Sequence, residues 1–276
     1  MIANSKKSLP VIDHLSHSAV STYQQCPLKW HFRYVAKIPE EVIGSALVFG
    51  SAVHSAVERH FQSLLETGSA PEIKELLEAF DACWESFDTD KIKYGRGDDA
   101  ASMREVAERM LKAFQQHEFA SPDGSIVAIE EPVRGEFVEG VPEVLARIDL
   151  AIQRDDELVL VDFKTARSRW SAEQAQNNAE QLLLYADLAG RVLDGRKIRL
   201  QYAVITKAKT PVMEVHEVEF DANRLNRTKA VFKEVWKAID GGVIFPAPSQ
   251  MNCHSCGYKT ACRAWQGQKG GEAWNR

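Results

Sequence analysis

The amino-acid sequence predicts an α/β fold in which a central mixed β-sheet is flanked by helices. Three observations support this class: helical periodicity before Pro122, a run of β-rich segments after it, and a return to helices towards the C-terminus. The 276 residues are 45% hydrophobic and 26% charged, which is ordinary globular composition for one large domain, or one domain with a small appendage.

Helices account for the first part of the chain. Residues 16–35 are serine-rich and then aromatic, and Ser16 or Ser18 could cap a short helix there. Apolar residues recur at helical spacing over residues 44–66. Two further amphipathic helices are predicted over residues 72–87 and 101–119.

The pattern changes to strands after Pro122. Apolar alternation or apolar runs predict four strands, over residues 125–129, 133–138, 144–152 and 158–163. Asp155 and Asp156 form a predicted turn that pairs the last two strands as an antiparallel hairpin. The remaining predicted elements are a helix, two strands, a helix and a tail rich in proline and cysteine, over residues 175–192, 198–206, 212–220, 222–239 and 246–276.

Charge and hydropathy limit the classes of function. The net charge of -5 argues against a protein that holds nucleic acid by bulk charge alone. Two stretches, 224–237 and 259–269, are basic, and they could line a nucleic-acid backbone or be solvated faces. No apolar run approaches the roughly 20 residues of a membrane span, and residues 1–10 lack the apolar core of a signal peptide. We therefore expect a cytoplasmic protein.

Acidic residues and a lysine meet on the predicted hairpin. Asp162 and Lys164 lie two residues apart on a strand, so they point to the same face, and Asp149 is a near cross-strand neighbour. Two adjacent carboxylates repel each other unless a cation lies between them. Oxygen ligands suit Mg²⁺ or Mn²⁺, and the lysine could orient a water molecule or stabilise developing charge. The alternative is an ordinary surface ion pair at a strand end.

Two more segments carry candidate residues. His54 lies on the helix predicted over residues 44–66, and taken alone it could be a packed polar residue. Gln181 and Tyr185 are four residues apart and therefore share one helix face. Alone, that segment indicates only an amphipathic helix.

Together these motifs resemble a known family. The order Gly-Ser-x-x-His, Arg-x-Asp, Val-Asp-x-Lys-Thr and Gln-x-x-x-Tyr is similar to the RecB-like nuclease domain of the PD-(D/E)XK superfamily, which includes the AddB nuclease and CRISPR-associated RecB-like exonucleases. The similarity runs from about His17 to Arg263 and implies a restriction-endonuclease-like core. One departure is that the usual Pro-Asp or Gly-x-x-Asp approach to the first aspartate reads Ala146-Arg147-Ile148-Asp149.

The resemblance also implies roles for individual residues. Lys164 would be the catalytic lysine, with Gln181 and Tyr185 as accessory residues near the substrate. Glu130 would be a further companion of the site. The implied metal ligands are His54, Asp149, Asp162 and the Phe163 carbonyl.

The cysteines suggest a second metal site. Cys253, Cys256 and Cys262 are closely spaced as C-x-x-C-x(5)-C, and Cys26 could supply a fourth thiolate. Spacing alone permits either Zn²⁺, with His254 as a possible nitrogen ligand, or an iron–sulfur cluster. The resemblance implies a [4Fe–4S] cluster held by these four cysteines, joining the N- and C-terminal segments. We interpret the fifth, Cys83, as a packed core cysteine.

We therefore expect three parts: an N-terminal segment over 1–43 with the first cluster cysteine, a nuclease core over 44–245 with a helical insertion at about 70–120, and a cysteine-rich segment over 246–276. The implied function is a Mg²⁺- or Mn²⁺-dependent deoxyribonuclease, a single-strand exonuclease of DNA repair, recombination, or phage or CRISPR processing. A helicase or a recombination or CRISPR protein could be its partner, and no membrane is involved. The alternatives are a non-catalytic iron–sulfur or zinc DNA-binding subunit of a recombination complex, and a zinc-stabilised protein of unrelated enzymology.

Overall fold

The computed structural model describes residues 12–190 and 197–266. Within them the helices are α1 (His17–Gln25), α2 (Pro27–Trp30), α3 (Ser45–Thr67), α4 (Ile73–Glu85), α5 (Ala100–Gln115), α6 (Ala172–Asn177), α7 (Glu180–Gly190), α8 (Ala222–Asp240), α9 (Gln250–His254) and α10 (Lys259–Ala264). The strands are β1 (Ile43–Gly44), β2 (Ile92–Lys93), β3 (Ser125–Gly135), β4 (Val144–Arg154), β5 (Glu157–Ala166), β6 (Lys197–Thr206) and β7 (Met213–Val218).

A five-stranded mixed sheet forms the centre of the fold, in the order β3-β4-β5-β6-β7. Strand β5 pairs antiparallel with β4 and parallel with β6, and β7 runs antiparallel to β6. Helices α3 and α7 pack on β5, and α5 and α7 contact β6. The predicted α/β class, with helices flanking a mixed sheet, is confirmed.

The β4–β5 hairpin has the register that the sequence predicted. Arg154 pairs with Glu157, which leaves Asp155 and Asp156 as the turn, and Asp155 adopts a left-handed φ of 45° that aspartate tolerates well. The pairing continues to Leu150 opposite Val161. The next residues along the two strands are Asp149 and Asp162, so the hairpin brings the two acids together.

Strand β5 is the core of the sheet because strands cover both of its edges and helices cover its faces. Its residues Val159, Leu160 and Val161 are fully buried, which explains the continuous apolar run in the sequence. The Phe163 ring lies in an aromatic cluster, with ring centroids 5.8 Å from Phe61 and 6.0 Å from Phe119. The residue before the catalytic candidate Lys164 is thus anchored by packing.

Two predicted elements differ from the structure. The strands predicted over 125–129 and 133–138 are one strand, β3, which bends at Glu130 and accommodates Pro132 because it is at the sheet edge. The helix predicted over 175–192 is two helices, α6 and α7, separated at Asn178 and Ala179; its predicted end at Val192 lies outside the described residues. At this break the Asn178 carbonyl accepts a hydrogen bond from the Tyr202 hydroxyl at 2.5 Å, instead of one from the next helical turn.

The chain divides into two compact units. Of the described residues, one unit contains 12–43, 134–145 and 226–266, and the other contains 44–133, 146–190 and 197–225. The first unit carries Cys26, Cys253, Cys256 and Cys262, and the second carries every candidate residue of the active site. Across the described ranges, every helix is too short or too polar to cross a membrane.

Candidate metal centre and cysteine site

Three elements of one unit bring possible metal ligands together. His54 comes from α3, Glu130 from β3 and Asp149 from β4, and one ligand atom of each lies within 4.8 Å of the others. Among the described residues, this is the only set of three histidine, cysteine or acidic side chains that meets so closely. Glu130 is therefore one of the three possible ligands, whereas the sequence indicated only a companion of the site.

The imidazole of His54 faces the two acids. Its Nδ1 lies 3.5 Å from Asp149 Oδ2 and 4.0 Å from Glu130 Oε1. Burial lowers the pKa of His54, but the negative charges of Glu130, Asp149 and Asp162 outweigh it, so that the net pKa is raised. In the metal-free protein these acids favour a proton on the ring, at the position where a cation would otherwise balance their charge.

Asp149 is the most perturbed acid of this set. Burial first, and then repulsion by Asp162, raises its pKa from 3.8 to about 7, against the opposing effect of His54. Its Oδ2 also accepts a hydrogen bond from the Phe163 backbone N–H at 2.7 Å, which fixes the carboxylate against β5. Phe163 thus contacts the site through its backbone nitrogen.

Asp162 lies beside this set, on β5. The Lys164 ammonium is 2.5 Å from its Oδ2, as expected for side chains two residues apart on one face of a strand. The contact lies outside hydrogen-bonding geometry, however, and neither oxygen of this 1% exposed carboxylate accepts a hydrogen bond within the described part of the chain. Such a carboxylate normally requires further partners.

Lys164 is held by the residues predicted to accompany it. Its Nζ donates to Gln181 Oε1 at 3.2 Å, and Gln181 Nε2 donates to the Tyr185 hydroxyl at 2.5 Å. The Tyr202 ring lies 5.8 Å from the same ammonium. Tyr185 is only 3% exposed, so its ring is too buried to stack on a base.

A cavity of about 540 Å³ opens onto these ligands. Arg147 and Glu58 line it together with Cys83 of α4, which is only partly buried and is therefore not the packed core cysteine that we predicted. The Arg147 guanidinium lies 3.7 Å from Glu130 Oε2. A substrate in this cavity would contact the three candidate ligands directly.

The donor set fits a hard divalent cation. Carboxylate oxygens with one imidazole are suitable ligands for Mg²⁺ or Mn²⁺. The raised pKa of Asp149 indicates an excess of negative charge at this site, and the buried oxygens of Asp162 accept no hydrogen bond within the described residues. A bound cation would balance this negative charge and give the Asp162 oxygens a partner.

Comparison with known proteins identifies the family. A model of the PD-(D/E)XK nuclease superfamily matches residues 14–263. The chain belongs to the PD-(D/E)XK nuclease superfamily. Its five-stranded mixed sheet is the restriction-endonuclease-like fold of that superfamily. A search of curated proteins finds no match to this sequence.

A solved structure shares the fold of this PD-(D/E)XK nuclease. A crystal structure from Eubacterium rectale, of a protein provisionally assigned as an exonuclease, is 18% identical, with a TM-score of 0.59 over 95% of this chain and 91% of that one. At this identity the likeness shows the fold alone. A second structure, of the protein SSO0001, is 15% identical over 90% of this chain and 95% of that one, with a TM-score of 0.36 that supports no further statement.

The other unit of the nuclease gathers the four clustered cysteines. Cys26, Cys256 and Cys262 pack against a small apolar cluster of Leu28, Phe32 and Tyr258. Burial raises the pKa of the Cys262 thiol, and Cys26, Cys256 and Cys253 raise it further by repulsion. Residues around Cys26 and around Cys256 and Cys262, far apart in sequence, therefore lie close together.

The sulfur of Cys26 is placed as a hydrogen-bond acceptor. Its Sγ accepts backbone hydrogen bonds from the N–H groups of Lys29 and Ala247, each at 3.5 Å. Hydrogen bonds to ligand sulfurs are one of the means by which proteins tune metal clusters. Cys83, in contrast, belongs to the unit of the active site.

One arginine of the first basic stretch is bound within the protein. Arg224 is held by Glu180 at 2.8 Å and by the carbonyls of Gln176 and Asn177, so it closes α6 and α7 onto α8 instead of facing a ligand. The Arg224 side chain is therefore engaged within the protein, whereas a nucleic-acid path along the rest of residues 224–237 stays a prediction. Lys269, at the end of the second stretch, lies outside the described residues.

Proposed function

We propose that this nuclease is a Mg²⁺- or Mn²⁺-dependent RecB-like deoxyribonuclease that degrades single-stranded DNA from an end. The observation that carries the proposal is the meeting of His54, Glu130 and Asp149 within 4.8 Å at a cavity, next to the Asp162–Lys164 pair. Membership of the PD-(D/E)XK superfamily supports phosphodiester hydrolysis, and the order of motifs supports the RecB-like assignment.

The proposed ligands are His54, Asp149, Asp162 and the Phe163 carbonyl, with Glu130 added by its position. A divalent ion held by them would act as a Lewis acid and lower the pKa of a bound water. Lys164 would stabilise the negative charge that develops on the phosphate. Gln181 holds the Lys164 ammonium and Tyr185 holds Gln181, so these residues fix the direction of the lysine.

The test is cleavage of end-labelled single-stranded DNA with Mn²⁺ by the wild type and by Asp162→Ala. We expect the variant to lose roughly 10³-fold in rate, because it lacks a buried carboxylate that no neighbouring acid on β5 can replace. The matched control is Asp156→Ala, whose carboxylate is 81% exposed in the β4–β5 turn and should be dispensable.

Equal degradation by the wild type and Asp162→Ala would show that the site is assigned wrongly. Binding of DNA without turnover in either metal would instead support a non-catalytic DNA-binding subunit. Substrates blocked at the 5′ or the 3′ end would show whether cleavage starts from an end.

We also propose that Cys26, Cys253, Cys256 and Cys262 hold a [4Fe–4S] cluster. A tetrahedral zinc site, with Zn–S bonds of about 2.3 Å, holds its sulfur atoms about 3.8 Å apart. All four cysteines are among the described residues, yet no three of their sulfurs lie within 4.8 Å of one another. The iron–sulfur assignment, in which each thiolate would bind its own iron, rests on the RecB-like resemblance.

The RecB-like resemblance further supports a role in DNA repair, recombination, or phage or CRISPR processing. A helicase or a recombination protein is the corresponding proposed partner. The chain contains no G-x-x-x-x-G-K-[ST] segment, so it would not itself supply the motor.

A further inference from the structure

Three basic residues lie at the carboxyl ends of the parallel strands β5 and β6. The register of the two strands ends with Ala166 opposite Thr206, so Arg167 and Lys207 follow side by side, and Lys209 comes two residues later. The Lys207 backbone N–H donates to the Ala166 carbonyl at 2.7 Å, which extends the pairing by one step. We name Arg167, Lys207 and Lys209 the β5–β6 basic cluster.

No carboxylate neutralises this cluster. Across the described residues, none of its three side chains lies within 4.0 Å of an acidic group, and residues 203–213 contain neither aspartate nor glutamate. Arg169, in the same loop as Arg167, shows the opposite behaviour, because Glu214 binds it at 2.6 Å. In this loop Arg169 therefore has an acidic partner, whereas Arg167 has none among the described residues.

Lys207 is held in place by an aromatic ring. Its Nζ lies 4.4 Å from the centroid of the Phe49 ring, a cation–π distance, and the Phe49 ring is fully buried. Burial lowers the pKa of Lys207, and the charge of Arg167 lowers it further. Neighbouring cations that repel each other, one of them partly desolvated, are stabilised by a bound anion.

The cluster adjoins the metal centre. Phe49, beneath Lys207, precedes Gly50, which lines the cavity of the candidate ligands. A side-chain carbon at Gly50 would meet Thr165 Oγ1 at 3.8 Å, and Thr165 follows Lys164. Arg167 lies one residue past the end of β5 and three residues beyond Lys164, or about 10 Å in the direction of the strand. At this distance from Lys164, Arg167 can contact a phosphate that neighbours the scissile phosphate on the same strand.

We infer that the β5–β6 basic cluster binds the phosphodiester backbone of the nucleic-acid substrate next to the scissile phosphate. This inference rests on the proposed function and specifies where the substrate strand runs. The strand crosses the carboxyl ends of β5 and β6, over Arg167, Lys207 and Lys209. An acidic protein with a net charge of -5 can in this way hold a polyanion by a local surface.

The experiment measures binding of a fluorescein-labelled oligo(dT) by anisotropy in Ca²⁺, over a range of NaCl concentrations. The variant combines Arg167→Gln, Lys207→Met and Lys209→Gln, where methionine keeps an apolar stem on the Phe49 ring. We expect the slope of log K against log[NaCl] to become shallower by about 2, at about 0.7 for each lost contact with a single strand. The affinity of the variant should also cease to rise with oligonucleotide length.

The matched control combines Lys74→Gln, Arg96→Gln and Arg109→Gln, three exposed cations of the same unit. Its slope should equal that of the wild type; an equal loss in control and cluster variants, or an unchanged slope in the cluster variant, would overturn the inference. If Lys207→Met prevents folding, Arg167→Gln with Lys209→Gln should still make the slope shallower by about 1.4. Because the assay measures binding, a wild type that binds but never cleaves would reject the proposed function and leave this inference standing.

Discussion

At the scale of single residues, Glu130 has an unusual backbone conformation at the candidate metal centre. Its φ of 49° is left-handed, a region that residues with a side chain adopt at a cost of about 1–2 kcal/mol. Such outliers persist where the surrounding structure demands them, and often at functional sites. Here the bend interrupts the alternation of β3 at the residue whose carboxylate faces His54.

The pKa of Asp149 predicts how the metal-free protein responds to pH. Its folded-state pKa, about 7, is above its ordinary 3.8, so its contribution to stability is complete below about pH 3.8 and is lost as the pH rises through about 7. His54, whose pKa is also raised, acts in the same direction. The melting temperature in EDTA should therefore fall by several degrees from pH 5 to pH 8.

Two comparisons check this expectation by scanning calorimetry. Asp149→Asn carries no charge, so its melting temperature should fall less over the same range. Mg²⁺ or Mn²⁺ should restore the stability of the wild type at pH 8, because a cation requires the deprotonated carboxylate. An identical fall in the wild type and Asp149→Asn would contradict the role given to Asp149.

At the scale of elements, the turn between Cys256 and α10 packs tightly against residues 40–42. The Glu41 N–H donates to the Gly257 carbonyl at 2.8 Å, and the Glu41 carboxylate accepts from the Thr260 N–H at 2.9 Å. A side-chain carbon at Gly257 would lie 2.7 Å from the Val42 carbonyl oxygen. This backbone contact positions two of the four cysteines.

Gly257→Ala should therefore destabilise the protein by about 1–3 kcal/mol, because a backbone oxygen cannot yield as a flexible side chain can. Denaturant unfolding measures this change. The matched control is Gly190→Ala at the end of α7, where the added carbon would meet only Ile198 Cδ1, at 3.8 Å. Similar unfolding midpoints for the two variants would show that the turn is not constrained in this way.

At the scale of the whole molecule, the proposed cysteine site would join distant parts of the chain. Cys26 lies between α1 and α2, whereas the other three cysteines lie in or beside α9 and α10. A link that closes so long a loop restricts the unfolded chain and stabilises the folded one.

Cys256→Ser should abolish the brown absorbance of a cluster and lower the melting temperature. Cys83→Ser is the matched control, since Cys83 lies in the active-site unit and should leave the visible spectrum unchanged. Iron and zinc analysis of the purified wild type distinguishes the two candidate metals. Unchanged absorbance and melting in Cys256→Ser would refute the proposed cluster.

The sequence by itself determined those features that local periodicity encodes. The alternation of strand side chains places Asp162 and Lys164 on one face, and the Asp155-Asp156 turn sets the register that brings Asp149 opposite Asp162. Helical spacing likewise predicted that Gln181 and Tyr185 share a face, and they are hydrogen-bonded. These relations depend on residues close in sequence or joined by one tight turn.

Only the tertiary structure decided which distant residues meet. The place of Glu130 beside His54 depends on a bend in β3 and on the packing of α3, neither of which has a local signal. Arg224 is neutralised by Glu180, whereas Arg167 and Lys207 are brought together without an acid by the parallel pairing of β5 and β6. A sequence shows which residues are charged. Which of them form ion pairs depends on distances in space, and the packing of the sheet and helices sets those distances.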